Sequence, residues 1–124
     1  MSYTVTRDFS APPEVVFGTA TDPDRWGRWL PSGVTLQRDG SDGLRVQLPQ
    51  GSQTVRWQVA PDELRVVARA EGQPWSGTLE VVPGAAGGST ARLAIDGDSG
   101  RLRPAAEQAL ARLEDEVADN FNAG

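Results

Sequence analysis

From residue 33 to residue 96 the chain is interrupted by clusters of turn-forming residues about ten positions apart. They are Asp39-Gly40-Ser41-Asp42-Gly43, Pro49-Gln50-Gly51-Ser52, Ala60-Pro61-Asp62, Glu71-Gly72-Gln73-Pro74 and the stretch from Pro83 to Ser89. Glycine reaches left-handed backbone without a steric cost, and proline fixes φ and lacks an N–H, so such groups punctuate regular structure. The intervals between them suit strands better than helices. The rhythm predicts an antiparallel meander with strands at 33–38, 44–48, 53–59, 63–70, 75–82 and 90–96.

Each interval alternates. Val34/Leu36, Leu44/Val46/Leu48, Val55/Trp57/Val59, Leu64/Val66/Ala68, Trp75/Leu79/Val81 and Leu93/Ile95 share one parity, while Thr, Arg, Gln, Glu and Asp hold the other. Side chains on a strand point alternately to opposite faces, so this sheet buries one face and wets the other. A further strand at 3–9 precedes the meander, with Tyr3, Val5 and Phe9 apolar and Arg7 the one charge on their parity.

Two short helices follow that first strand. Pro12-Pro13 ends it and opens a helix, Glu14 favours the helix dipole, and Val16, Phe17 and Ala20 give an apolar side. Asp22 caps a second helix with Pro23 at its first position, and Pro31 stops it after Trp29 or Leu30. Gly97-Asp98-Ser99-Gly100 closes the meander, and a long helix runs from Leu102 or Pro104 to Phe121. Ala106, Leu110, Leu113, Val117 and Phe121 form its single apolar stripe. A curved sheet with one apolar face needs a cover, and this helix supplies it. The expected architecture is α+β in a single domain, 1–124: seven antiparallel strands, two short helices after the first, and a long C-terminal helix on the sheet.

Composition narrows the chemistry. The chain has no Cys, no His and no Lys, so all 12 basic residues are Arg. That excludes disulfides, thiolate and imidazole metal ligands, Ser-His-Asp catalysis and Schiff-base lysines. The net charge is −5 with dispersed arginines, which argues against nucleic acid as a partner. No apolar run approaches the roughly 20 residues of a membrane span, and Met1-Ser2-Tyr3-Thr4 lacks a charged and apolar signal region. The expectation is a cytoplasmic protein without stable membrane insertion.

The segment Phe9-Ser10-Ala11-Pro12-Pro13-Glu14-Val15-Val16-Phe17, followed by Asp22-Pro23-Asp24-Arg25-Trp26-Gly27-Arg28-Trp29, resembles the start of the START/Bet v 1-like superfamily. This group, also called SRPBCC, comprises polyketide cyclase/dehydrase and lipid-transport proteins. The resemblance implies a helix-grip fold, with the sheet wrapped around the last helix and a cavity between them. It implies a lipid, sterol or polyketide ligand, polyketide cyclisation, or a role as a partner of other proteins.

The residues expected to line such a cavity follow from parity and from that resemblance. Val46, Trp57, Trp75 and Leu79 face inward from the strands, Leu113 and Val117 from the long helix. Trp26 and Trp29 close the second helix, near where the family's cavity mouth opens. Burying one Trp contributes about 4–6 kcal/mol by area, so the four indoles either fill the core or wall an aromatic pocket. Arg7 either reaches solvent or a carboxylate of the last helix, or anchors an anionic or carbonyl group of a ligand.

The expected function is non-covalent binding of a small hydrophobic or amphipathic, apolar or aromatic ligand. The alternatives are a cofactor-free polyketide cyclase or dehydratase, and a protein-interaction module without an open cavity. No catalytic residue, cofactor or metal is assigned. Asp96-Gly97-Asp98-Ser99-Gly100 resembles a calcium loop only in part, and reads as a turn with a helix cap. Gly84, Gly87 and Gly88 read as a hairpin tip, and Glu114, Asp115, Glu116 and Asp119 as a solvated helix face. Oligomeric state stays open.

Overall fold

A computed structural model of the chain describes residues 2–31, 33–40, 42–48, 51–72, 74–97, 100 and 102–123, with side chains described up to residue 119. Strand β1, Ser2–Phe9, leads into helix α1, Pro13–Ala20. A 3-10 turn, Pro23–Arg25, then runs straight into helix α2, Trp26–Trp29. The meander comprises β2 (Thr35–Asp39), β3 (Gly43–Leu48), β4 (Gly51–Ala60), β5 (Arg65–Ala70), β6 (Ser76–Pro83) and β7 (Ser89–Asp96). Helix α3, Arg103–Ala123, ends the chain.

All strand pairs are antiparallel in the order β1-β7-β6-β5-β4-β3-β2. Each hairpin brings the next strand beside the last, and β1 completes the sheet by pairing with β7 across almost the whole sequence. This is the expected helix-grip architecture. The predicted parity carries through the register, since Trp57 lies opposite Ala68, Leu79 opposite Leu93, and Val5 opposite Leu93.

Local signals act where expected. Pro13 stands in the first turn of α1, and the Asp22 carboxylate accepts the Asp24 N–H at 3.0 Å at the head of the 3-10 turn. Leu30 is extended ahead of Pro31, which ends α2. The hairpin between β6 and β7 closes through the Gly84 N–H on the Gly88 carbonyl at 2.9 Å.

Several boundaries depart from expectation, among them β2, which begins at Thr35 and leaves Val34 outside it, and β4, which begins at Gly51. The second helix divides into the 3-10 turn and α2. β5 begins at Arg65, since Pro61–Glu63 winds into a 3-10 turn. Trp75 stands just before β6 rather than inside it, its carbonyl accepting the Ala70 N–H at 3.2 Å. Ser41, Pro49, Gln50, Gln73, Asp98 and Ser99, all named above in turns or loops, lie outside the described residues, as does the side chain of Phe121.

The core lies at one side of the sheet. α3 packs on β1, α1 and α2, and α1 packs in turn on β6 and β7. Val16, Ala91 and Leu113 are fully buried there, with Val81 and Val117 nearly so. Trp26 and Trp29 seal this cluster from α2.

Candidate functional site

Two cross-strand rows run over the inner face of the sheet. One reads Trp57, Ala68, Gly77, Ile95 and Tyr3 from β4 to β1; the other reads Val59, Val66, Leu79, Leu93 and Val5. Residues in register on one face stand close enough to touch, so each row is a continuous strip of surface. Cover falls away along the second. Val5 is 8% exposed at the β1 end and Val59 is 40% exposed at the β4 end, with Val66, Leu79 and Leu93 half-buried between. Val59 shares the inward parity expected of it, but it is exposed rather than buried. The helices cover β1, β7 and β6 more fully than β4.

The first row contains a step in side-chain height. Trp57 stands beside Ala68 and then Gly77, the two smallest side chains available. A Cβ built at Gly77 would meet one heavy atom within 4 Å, the Ala94 carbonyl oxygen at 3.7 Å. Glycine is therefore not demanded here by backbone strain or close approach. What it does is leave room on an apolar face, next to an indole.

Helix α2 forms the wall across from this floor. The rings of Trp26 and Trp57 meet edge to face, 5.8 Å between centroids at 67°. The Trp26 Nε1 donates to the Ala20 carbonyl at 3.0 Å, which fixes the ring. Trp29 is buried beside it, while its Nε1 finds no acceptor. Trp75, Leu79 and Val46 are half-buried against the core cluster. Behind Trp75, Gly97 adopts φ +81°, and any Cβ there would run into the Pro74 carbonyl, so a glycine holds this corner tight. Leu113 is enclosed within the packing of α3 rather than presented to open space, and Val117, though buried, borders the depression beside Phe9, Ser10 and Ala11.

Salt bridges tie α3 to the elements around it. Arg25 Nη1 meets Glu116 Oε2 at 2.9 Å, with Asp22 3.5 Å from the same guanidinium and Arg28 3.9 Å from the same carboxylate. Glu116 is buried, which corrects its place on a solvated face: it stands three residues after Leu113, at the border of the apolar stripe. Arg7 reaches Glu114 on α3 at 2.7 Å, with both side chains part-exposed. Its charge on an inward parity is thus met by a carboxylate of the last helix.

The described depressions are open ones. One of about 490 Å³ lies along β4 and β5 against Trp57, Val59 and Val67, and another of about 190 Å³ adjoins Trp57, Arg56 and Arg69. A third, about 350 Å³, lies between Phe9–Ala11 and Glu114–Ala118. On the outer face Arg56 donates to Glu71 at 2.6 Å and meets Asp42 at 3.2 Å; the Glu71 hydrogen bond, then both carboxylate charges, raise its pKa above the ordinary arginine value.

The paired inner-face positions carry Tyr3, Arg7, Arg38, Gln53 and Ser89 as their polar side chains, and no carboxylate. Ser89 already donates to the Ala11 carbonyl at 3.0 Å. An arrangement of this kind can hold an apolar or planar molecule by contact, and it offers no carboxylate pair for acid–base work. Sequence reasoning singles out Trp57 and Leu79 and puts Ala68 on their parity, but passes over Gly77, which shares their face. The available signal is parity, since 77 lies two residues before Leu79.

Comparison with known proteins places these features in a wider group. The sequence profile of the family described as polyketide cyclase / dehydrase and lipid transport matches residues 1–123. A search of curated proteins finds no match. Among solved structures, TTHA0849 from Thermus thermophilus is 20% identical, covers 97% of this chain and 99% of its own, and superposes with a TM-score of 0.79. XoxI from Bacillus cereus is 15% identical, covers 97% of each chain and gives a TM-score of 0.80. The di-domain ARO/CYC protein BexL of the BE-7585A biosynthetic pathway is 21% identical with a TM-score of 0.79, and the match covers 98% of this chain but 48% of BexL. At these identities the likeness is one of fold.

Proposed function

The chain belongs to the polyketide cyclase / dehydrase and lipid transport family, and from that premise we propose that it binds a small apolar or amphipathic molecule non-covalently on the inner face of its sheet. The ligand lies over Ala68 and Gly77, with Trp57, Val66, Leu79 and Leu93 around it and α2 as the wall. Val46 and Trp75 border the same space, and Leu113 and Val117 back it from α3.

The observation that carries this reading is the step in the first row. An apolar strip that drops from an indole to a methyl and then to a bare α-carbon supports a ligand there, because Gly77 has room for a Cβ where a packed core would put a larger side chain. The neighbouring apolar groups are only half-buried, so a ligand gains contact area from each of them. A cyclase or dehydratase reaction would use the same space, by confinement rather than by paired carboxylates. A protein-docking module would instead present a broad exposed apolar patch, and Val59 is the one large hydrophobic side chain that is exposed among the described residues.

The test is titration with 1-tetralone, a fatty acid and a sterol, followed by tryptophan fluorescence and calorimetry. Wild-type protein should give a saturable response to at least one of them. Gly77→Leu, at an unstrained backbone position with room for a Cβ, should stay folded and lose at least tenfold in affinity. Absence of any saturable response, or an unaltered affinity in Gly77→Leu, would sink the proposal.

A further inference from the structure

Strand β4 outruns the neighbour that covers its edge. β3 pairs with it only from Gly51 to Arg56, whereas β5 pairs with it as far as Ala60. The stretch 57–60 is therefore paired on one side alone. Successive residues of a strand turn their main-chain groups to alternate sides, and the bonds present fix which side is which. The Glu71 N–H donates to the Thr54 carbonyl at 2.9 Å, so even positions of β4 face β5. The Trp57 N–H donates to the Asp42 carbonyl at 2.8 Å, so odd positions face β3. Val59 is the next odd position, and its N–H and C=O have no main-chain partner among the described residues.

The side chain of the same residue is uncovered as well, since Val59 is the one large hydrophobic exposed among the described residues, at 40%. A depression of about 490 Å³ takes in Trp57, Gln58, Val59 and Ala60, with Arg65 and Val67 of β5 beside them. Gln58, Ala60, Arg65 and Val67 share the outward parity, so this hollow opens on the face of the sheet away from the helices. Arg65 is its one charged side chain, part-exposed and 2.7 Å from the exposed Glu63.

A donor and an acceptor on one edge residue, an apolar side chain on one face and a hollow on the other suit an extended polypeptide. One residue of an antiparallel segment exchanges both hydrogen bonds with Val59 and lays its own side chain against it. The residues on either side of that one turn outward, beside Gln58 and Ala60. Only the Ala60 methyl separates such a position from Arg65, so a carboxylate there comes within reach of the guanidinium. Recognition through the main chain needs no broad apolar patch, and a free stretch this short suits a transient contact.

We propose that the free edge of β4 at 57–60 docks an extended segment of another protein as an added antiparallel strand, with an aliphatic residue opposite Val59 and an acidic one opposite Ala60. The site lies at the edge and the outer face, and it does not depend on the inner-face binding reading.

The test uses the intact chain, isotope-labelled at its amides, and a blocked pentapeptide, threonine-glutamate-valine-glutamate-threonine. Titration should move the Val59 amide resonance downfield and saturably, while the amide of the buried Val16 stays in place. Methylating the central valine nitrogen of the peptide removes a donor and blocks the close approach, and should weaken binding about tenfold. Glutamine in place of both glutamates should weaken it about two- to fivefold at low salt. Val59→Pro removes the donor of the protein at a position facing no neighbouring strand, where proline is tolerated, and should weaken the peptide about tenfold.

A peptide that binds without moving the Val59 amide overturns the proposal, as does one whose N-methylated or glutamine form binds equally well. So does the absence of any saturable shift up to the solubility limit of the peptide. If the Val59 amide instead moves with protein concentration when no peptide is present, the edge belongs to a second copy of this chain and the proposal falls. The resonance measurement needs no variant, and therefore decides the matter even if Val59→Pro does not fold.

Discussion

Val5 and Val59 end the same row of the sheet, one on β1 and the other on β4, and their exposures are 8% and 40%. The residue type, the strand parity and the face are identical. Only the cover differs, since α3 and α1 lie over β1, β7 and β6. Alternation thus decides which face of a strand turns inward, and a separate element decides whether that face is closed. Val16, Ala91 and Leu113 have no solvent contact, while along the row between Val5 and Val59 the side chains of Val66, Leu79 and Leu93 keep some. A hydrophobic residue left half-covered gives up part of its burial energy, and a molecule settling on it recovers that energy.

The largest effect should come from asking both sides the same question. Leu113→Ala, in the fully buried stripe of α3, should cost about 2–5 kcal/mol, because surrounding atoms cannot collapse into the space left. Leu79→Ala, in the half-covered row, should cost about 1 kcal/mol, since solvent already reaches the site. Denaturant unfolding of the two variants checks this. Equal losses would mean that the two halves are equally packed, and the contrast would break.

The next effect concerns how the closed side is fastened. Glu116 is buried against Arg25, so Glu116→Gln keeps the shape and removes the charge that the guanidinium faces. With Arg25 itself 30% exposed at its side chain, solvent screens part of the loss, and about 1–2 kcal/mol is expected from chemical denaturation. A loss nearer zero would show that the short helices hold to α3 by apolar contact alone.

Much of this arrangement is legible in the sequence, and the remainder is hidden for definite reasons. The strands are visible because turn clusters and period-two alternation are local signals, and the long helix because its stripe recurs every three or four residues. The place of Trp75 is not, since one residue at a strand end depends on hydrogen bonds to Ala70 rather than on parity. Glu116 reads as solvated because it stands in a run of acids, and only the arrival of Arg25 from 91 positions earlier in the chain makes its burial tolerable. Gly77 carries no hydropathy signal at all, so a pattern search passes over the residue that leaves room beside Trp57. The orphaned N–H of Trp29 is further still from the sequence, because satisfaction depends on where an acceptor lies in space, and its neighbour Trp26 found one in the Ala20 carbonyl.

The smallest effect separates distance from burial as the source of an ion pair's strength. Arg7–Glu114 and Arg25–Glu116 are nearly the same length, 2.7 and 2.9 Å, and both clamp α3 to another element. Their exposures differ: 43% and 38% for the first, 30% and 10% for the second. If distance governed, the first pair would be at least as strong. Solvent at a part-exposed pair raises the effective dielectric and lets counterions screen it, so burial should govern instead. A double-mutant cycle with Arg7→Gln and Glu114→Gln should give a coupling of about 0.2–1 kcal/mol that fades toward 1 M salt, where the Debye length is about 3 Å. The same cycle at Arg25 and Glu116 should give the larger value and keep more of it in salt. A reversed order would place the tighter seam at β1, and the side of the sheet that holds Arg7 would then owe its closure to charge rather than to the apolar stripe of α3.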